Sequence, residues 1–272
     1  MLIDCHVHLN SYDESQPAPP VRDSADRLFA AMDEAGVDHA VVLSSYKVTP
    51  WRPHVDEIIA AVGGDHRITI VEGIRWRSDG ERTDLFRLEE RLRDGLVKGI
   101  KLYPGYDRYA INDPSLEAVH RIAAKYAVPV MIHTGDTYSK HAKVRQAHPL
   151  LVDDLAVDFP EVQFLMCHLG NPWFDDAAQV LYKNDNVLAD ISGLILGRFE
   201  AEFEKLVLLR MKEMISYMGE PTHQLLYGSD WPLVDMARYV RFFETLDLTP
   251  EQREGVAWRT AARLFRIELP TD

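Results

Sequence analysis

The chain has 272 residues, of which 46% are hydrophobic and 27% charged, enough for one large core and about the size of one (β/α)₈ barrel. No apolar run reaches membrane-spanning length, and a formal net charge of −13 argues against binding nucleic acid through its phosphates. The first strand begins almost at the N-terminus and leaves no room for a signal peptide, so a cytoplasmic protein acting on a small molecule is expected.

Leu2 to Asn10 reads as that strand and its following turn, and it carries Asp4, His6 and His8. Alternate residues of a strand share a face, so these three side chains point the same way. Two imidazoles so placed can grip one transition-metal ion, with Asp4 orienting a ligand from behind. A proline-rich loop, Gln16 to Pro20, leads to an amphipathic helix from about Asp23 to Ala35, stopped by Gly36. His39 to Leu43 is the second strand, His54 to Val62 a helix, Arg67 to Ile74 the third strand and Asp84 to Arg93 a charged helix. The cycle continues with a strand at Val97 to Tyr103, a helix at Pro114 to Tyr126 capped by Asp113, and a strand at Val128 to His133. A polar loop holding His141 and His148 precedes a helix at Leu150 to Val157. Then come a strand at Val162 to His168, a helix at Trp173 to Tyr182, a strand at Val187 to Ile191 and a long helix from about Phe199 to Met218. Gln224 to Gly228 is the eighth strand, and two further helical stretches follow.

Strands alternating with helices favour a parallel sheet, and eight repeats from the first residue favour a closed barrel in a single domain. An open doubly wound sheet would advertise a nucleotide loop, yet no GxGxxG or GxxxxGK[ST] follows the first strand. The polar residues collect at strand ends: His6 and His8 on the first, His133 on the fifth, His168 on the sixth and Asp230 on the eighth. That rim is where barrel enzymes build active sites, and closure sets the eighth strand beside the first. Each residue alone has an ordinary reading, a hydrogen-bonded core histidine or a turn-initiating aspartate; five at one rim form a pattern. Cys5 and Cys167 each precede one of these histidines. Strand alternation places both thiols on the opposite face, against the outer helices, as buried hydrophobes without a disulfide.

With Asp4-Cys5-His6-Val7-His8, Gly99-Ile100-Lys101-Leu102-Tyr103-Pro104, His133, Cys167-His168-Leu169-Gly170 and Gly228-Ser229-Asp230-Trp231-Pro232 in order, the chain resembles the amidohydrolase superfamily. The likeness is to the branch of metal-dependent decarboxylases related to aminocarboxymuconate semialdehyde decarboxylase, and it spans nearly the whole length. It implies a (β/α)₈ barrel, metal ligands at His6, His8, His133 and Asp230, and a catalytic histidine at His168. Three imidazoles and a carboxylate suit one zinc ion, with manganese, iron and cobalt also compatible. Such an ion lowers the pKa of a water it holds to roughly 7. Asp230 would take that water's proton, and His168 would hold the water or stabilise an oxyanion.

Relatives with two metals carry a carbamylated, bridging lysine on strand four, the predicted place of Lys101. The following Leu102-Tyr103-Pro104 matches the one-metal branch better, where the lysine faces substrate; a structural ion pair is the third reading. Arg75-Trp76-Arg77 and the stretch from Lys101 to Tyr109, with Tyr103, Tyr106 and Arg108, make two basic, aromatic rim segments. Arg75, Lys101 and Tyr103 are therefore expected to bind an anionic, planar substrate. Hydrolysis of a small carboxylated ester, lactone or amide is the first functional expectation and non-oxidative decarboxylation the second. The same donor set serves both. Homo-oligomerisation is left open by the sequence.

Overall fold

Short runs of Val, Ile and Leu form the strands, and the amphipathic segments between them form the helices. The computed structural model describes residues 1–76, 82–196, 201–219 and 222–268. The strands are β1 (Ile3–Val7), β2 (His39–Leu43), β3 (Ile68–Gly73), β4 (Ile100–Leu102), β5 (Val130–His133), β6 (Phe164–Cys167), β7 (Val187–Asp190) and β8 (Leu225–Leu226). They pair in parallel and in sequence order. The ring closes between β8 and β1 through the Cys5 amide on the Tyr227 carbonyl at 3.0 Å and the Asp230 amide on the His6 carbonyl at 2.9 Å. The fold is a (β/α)₈ barrel.

The helices are α1 (Val21–Ala35), α2 (Val55–Val62), α3 (Leu85–Arg93), α4 (Glu117–Tyr126), α5 (Leu150–Asp158), α6 (Phe174–Lys183), α7 (Ala201–Met218), α8 (Met236–Glu244), α9 (Pro250–Glu254) and α10 (Thr260–Phe265). The expected element order holds, but the ends shift. β4 and β8 are much shorter than the apolar runs that announce them, because the flanking residues leave the ladder to shape the rim. Pro114–Leu116 forms a separate tight turn ahead of α4. The expected start of the long helix at Phe199 lies outside the described residues, as does Arg77.

Two apolar layers divide the strand residues between them. Val7, Ala40, Val42, Ile70, Ile100, Leu102, Val130, Ile132, Met166 and Ala189 pack outward against the helices. Ile3, Cys5, Val41, Leu43, Val71, Met131, Leu165, Cys167, Leu188 and Leu226 fill the barrel, joined by Ala261, Ala262 and Phe265 of α10. Both cysteines thus lie inside the barrel, which corrects the expectation that they face the outer helices. The reason is local. β1 gains a residue against β2, since Asp4 pairs with Ala40 but Val7 with Val42. Such a bulge breaks the alternation, so Cys5 and His6 both turn inward. The Asp4 carboxylate accepts the His6 amide at 3.1 Å and the Ser229 amide at 2.9 Å, so it fastens the bulge to the β8 rim, and among the described residues it makes no hydrogen bond to a histidine ring. On β6 the strand simply stops: His168 and Leu169 take left-handed backbone angles, φ 60° and 50°, and His168 swings back over the mouth.

One buried group in the outer layer makes the fold acid-sensitive. His120 on α4 sits 5.0 Å from the Phe159 ring and 5.5 Å from that of Phe164, and neither of its nitrogens has a hydrogen-bond partner among the described residues. Burial pushes its pKa from 6.5 down to about 4. The unfolded chain therefore binds a proton more readily than the folded one, so this histidine's contribution is intact above pH 6.5 and is lost as pH falls towards 4. Relative to pH 7.5, the loss at pH 5 should be about 2 kcal/mol. His120→Leu should remove that part of the acid sensitivity, read as a smaller gap between denaturation midpoints at the two pH values; an unchanged gap would show that His120 carries no such linkage.

Candidate metal centre and active site

The carboxyl ends of β1, β5, β6, β7 and β8 converge on one buried cluster. His6 Nδ1 lies 2.9 Å from Asp190 Oδ2, and His8 Nδ1 lies 2.8 Å from the Leu43 carbonyl oxygen. A carboxylate and a carbonyl can only accept, so each Nδ1 carries the hydrogen and each Nε2 keeps a bare lone pair. Those two Nε2 atoms stand 3.8 and 3.6 Å from Asp230 Oδ1. Two bare nitrogen lone pairs therefore face a carboxyl oxygen. Asp230 is held there by a left-handed backbone, φ 68°, which β-strand geometry would not give. All three donor atoms lie within 4.8 Å of one another. Imidazole nitrogen with carboxylate oxygen is the donor chemistry of zinc and its first-row neighbours, so this arrangement suits a divalent cation.

Electrostatics point the same way. Burial pushes the imidazoles of His6, His8 and His168 down to about 4, 3 and 3, and that of His133 well below its usual range. All four are neutral at physiological pH, the form that binds metals. Burial pushes the Asp230 carboxyl up to about 8, against the opposing pull of Lys101. Burial acts upward on Asp190 as well, but His6, His168 and Lys101 outweigh it and hold its carboxyl well below the usual range.

Asp190 organises the cluster, and the strand-end pattern read from the sequence passes it over. Its Oδ1 accepts the His168 amide at 2.9 Å and the Ser192 amide at 3.0 Å while Oδ2 holds His6. The Ser192 hydroxyl also donates to Asp190 and lies 2.9 Å from His168 Nδ1. The signal was present: an acidic residue at an inward position closing the apolar run Val187 to Ala189. His168 Nδ1 also meets the Ser192 carbonyl at 3.1 Å, which leaves its Nε2 as an acceptor. His6, His168 and Asp190 form a second tight donor group.

The remaining expected site residues fall in different places. His133 belongs to neither tight group; its ring lies 5.0 Å from that of His168, its Nε2 meets the Asp136 carbonyl at 2.8 Å, and Nδ1 is its bare nitrogen. Lys101 points into the barrel, almost wholly buried, with Nζ on the Cys167 sulfur and 5.3 Å from the Tyr103 ring centroid. Tyr103 is buried and donates its hydroxyl to the Ser44 carbonyl at 2.8 Å, with the Tyr46 ring tilted against its own at 5.0 Å. Tyr106 lies 4.8 Å from the His133 ring. Arg75 lines a cleft of about 1030 Å³ with residues of α2 and α3, and that cleft includes none of the five expected metal-centre and catalytic residues. Glu72, beside it on β3, is held by Arg91 at 3.0 Å. His148 pairs locally with Asp176 at 3.5 Å, and His141 is exposed.

The Asp190 contact supplies a test. Asp190→Asn keeps the size and one acceptor but removes the charge that fixes the His6 tautomer. Metal affinity should fall by about 10–100-fold, measured by competition with a chelating dye. An unchanged affinity would mean that Asp190 does not set the donor nitrogen.

Known proteins place this geometry in context. The amidohydrolase family profile matches residues 3–267. An uncharacterised TIM-barrel protein from Bordetella bronchiseptica superposes with a TM-score of 0.75 at 18% identity, covering 97% of this chain and 98% of its own. The 5-carboxyvanillate decarboxylase of Sphingomonas paucimobilis gives a TM-score of 0.68 at 16% identity over 98% and 99% of the two chains. A dihydroxybenzoic acid decarboxylase from a Polaromonas species, with bound manganese and 2-nitroresorcinol, gives 0.65 at 13% over 99% and 98%. Comparison with curated protein sequences returned no match. Among the described residues no helix is long and apolar enough to cross a membrane. The profile covers nearly the whole barrel and every strand end described above, and the chain belongs to the amidohydrolase family.

Proposed function

We propose that this chain is a metal-dependent enzyme that removes carbon dioxide from a small, planar, carboxylated substrate. The carrying observation is the cluster of unshared lone pairs on His6 Nε2, His8 Nε2 and Asp230 Oδ1, set beside tyrosine rings. His6, His8 and Asp230 would hold one divalent ion, with His133 offering its bare Nδ1 from across the mouth; zinc and manganese both suit these donors. When bound, the ion supplies Lewis acidity at a carboxylate or carbonyl oxygen. The likeness to decarboxylases of aromatic acids supports this choice of reaction, as does the aromatic wall of Tyr46, Tyr103 and Tyr106.

The protein's own residues then have defined tasks. Decarboxylation breaks the bond between the ring carbon and the carboxyl carbon, leaves the electron pair on the ring carbon, and needs a proton there as carbon dioxide departs. Asp230 Oδ2 would carry that proton, since Oδ1 is the oxygen that faces His6 and His8. His168 Nε2 accepts a hydrogen bond and would orient a substrate hydroxyl; with Nδ1 donating to the Ser192 carbonyl it has no hydrogen for an oxyanion. Tyrosine rings exclude water from the plane of the substrate. A second reading is hydrolysis of a carboxylated ester, lactone or amide, favoured by the same His168 nitrogen, which can take a proton from water.

The experiment loads the purified protein with zinc or manganese and offers it two panels. One holds hydroxylated aromatic acids, followed by carbon dioxide release; the other holds carboxylated lactones, esters and amides, followed by acid release. Turnover confined to the first panel is expected, and turnover confined to the second selects hydrolysis. About one ion per chain is expected, and His6→Ala or Asp230→Ala should weaken its binding sharply. His168→Asn should keep the metal and lose about 10²–10⁴-fold in kcat. Loss of metal from a folded His168→Asn protein would make this histidine a ligand and contradict its assigned role.

A further inference from the structure

The β1–α1 loop, residues 8–20, borders the cluster and contains no lysine or arginine. The facing loop between β2 and α2 carries two basic side chains, Lys47, which is exposed, and Arg52, which reaches the Tyr12 ring of the β1–α1 loop. The position of Arg52 is built by several contacts. The Arg52 and Thr49 backbones exchange two hydrogen bonds of 3.0 and 3.1 Å. Trp51 ties this turn to the β1–α1 loop, accepting from the Ser11 amide at 2.8 Å and donating from Nε1 to the Gln16 carbonyl at 3.0 Å. The guanidinium lies 5.8 Å from the centroid of the Tyr12 ring, and Tyr12 in turn meets Asn10, two residues beyond His8, at 3.4 Å.

Arg52 is half-buried, and among the described residues its guanidinium has no carboxylate partner and no hydrogen bond. A cation so placed keeps its five donors for something else. Its charge is one of those felt at His8, Tyr12, Tyr46 and Tyr103, so it lies within electrostatic reach of the rim that carries His8. Asp230 is felt at Tyr12 and Tyr103 as well, so these two tyrosines are within reach of both charges. Lys101, the other cation of the site, is committed to Cys167 and is almost wholly buried. Arg75 lines the cleft beside α2 and α3, as Tyr46 also does, and is already partnered.

We propose that Arg52 is the specificity-determining residue of this site: its planar fork pairs with a second carboxylate of the substrate, one remote from the reacting group, while Tyr12, Tyr46 and Tyr103 hold the plane between. This rests on the reading of the site as a metal-dependent pocket for carboxylated substrates, and it narrows the class to planar molecules with two anionic groups. Two parallel charge-assisted hydrogen bonds fit arginine better than lysine, because the guanidinium matches a carboxylate edge to edge.

The test measures binding of isophthalate and of its monomethyl ester to the zinc-loaded protein by calorimetry, with zinc content determined alongside. The wild type should favour the dicarboxylate by about tenfold or more. Arg52→Met should reduce that preference below about threefold, with zinc content and ester affinity unchanged, and Arg52→Lys should restore it in part. A residue that merely shaped the loop would weaken both probes together. An undiminished preference in Arg52→Met, or none in the wild type, overturns the assignment of Arg52 and leaves the metal site standing. Zinc-free protein that binds both probes as tightly as the loaded protein overturns the reading of the metal site, and the role of Arg52 with it.

Discussion

The Asp190 carboxylate is the contact on which the site depends. It is fully buried at the end of β7, an environment that by itself would favour the neutral acid, and it stays ionised because His6, His168 and Lys101 surround it. With one oxygen it fixes the hydrogen of His6 on Nδ1; with the other it gathers the amides of His168 and Ser192. Remove that charge and His6 loses the reason to present Nε2 to the mouth, while the left-handed turn carrying His168 loses its anchor. One carboxylate thereby joins β1, β6 and β7 at the rim. The partners that orient ligands from behind commonly matter almost as much as the ligands.

Around it, backbone irregularity does what regular strands cannot. Regular alternation would send every second residue of β1 outward, yet the site needs His6 above Cys5 on the same side. The bulge between Asp4 and Val7 supplies the turn, and the Asp4 carboxylate takes up the amide that the bulge frees. His168 and Asp230 each sit at positive φ, a conformation that costs on the order of 1–3 kcal/mol per residue and is held by the surrounding hydrogen bonds. Stability is lent here to geometry. Beneath this layer Lys101 lies inside the barrel, where it acts against burial and lowers the pKa of both Asp190 and Asp230.

Much of this was legible in the sequence, for reasons that particular residues make plain. Strand-ending His6, His8, His133, His168 and Asp230 stand out because polar residues closing apolar runs are uncommon, and the barrel topology assigns them one rim. The element order followed from periodicity alone. What stayed hidden depends on backbone detail. Cys5 was misplaced because a bulge leaves no mark in composition, and Cys167 because the β6 strand ends one residue earlier than its apolar run implies. Asp190 lacked a motif and looked like an ordinary strand terminus. Lys101 and Arg75 read alike as rim cations, yet register sends Lys101 into the barrel and places Arg75 in the cleft beside α2 and α3. Arg52 escaped notice because its relation to Tyr12 runs between two loops that only the fold brings together.

The central claim is that this chain gathers His6 Nε2, His8 Nε2 and Asp230 Oδ1 to hold a single metal ion, with Asp190 setting the donor atom of His6. Anomalous diffraction from crystals of the zinc-loaded protein, recorded on both sides of the zinc absorption edge, tests it directly. The account predicts one anomalous peak, bounded by those three atoms and separated from Asp190 by the His6 ring. A peak bounded instead by His168 and Asp190, or two peaks of comparable height with Lys101 between them, would contradict it.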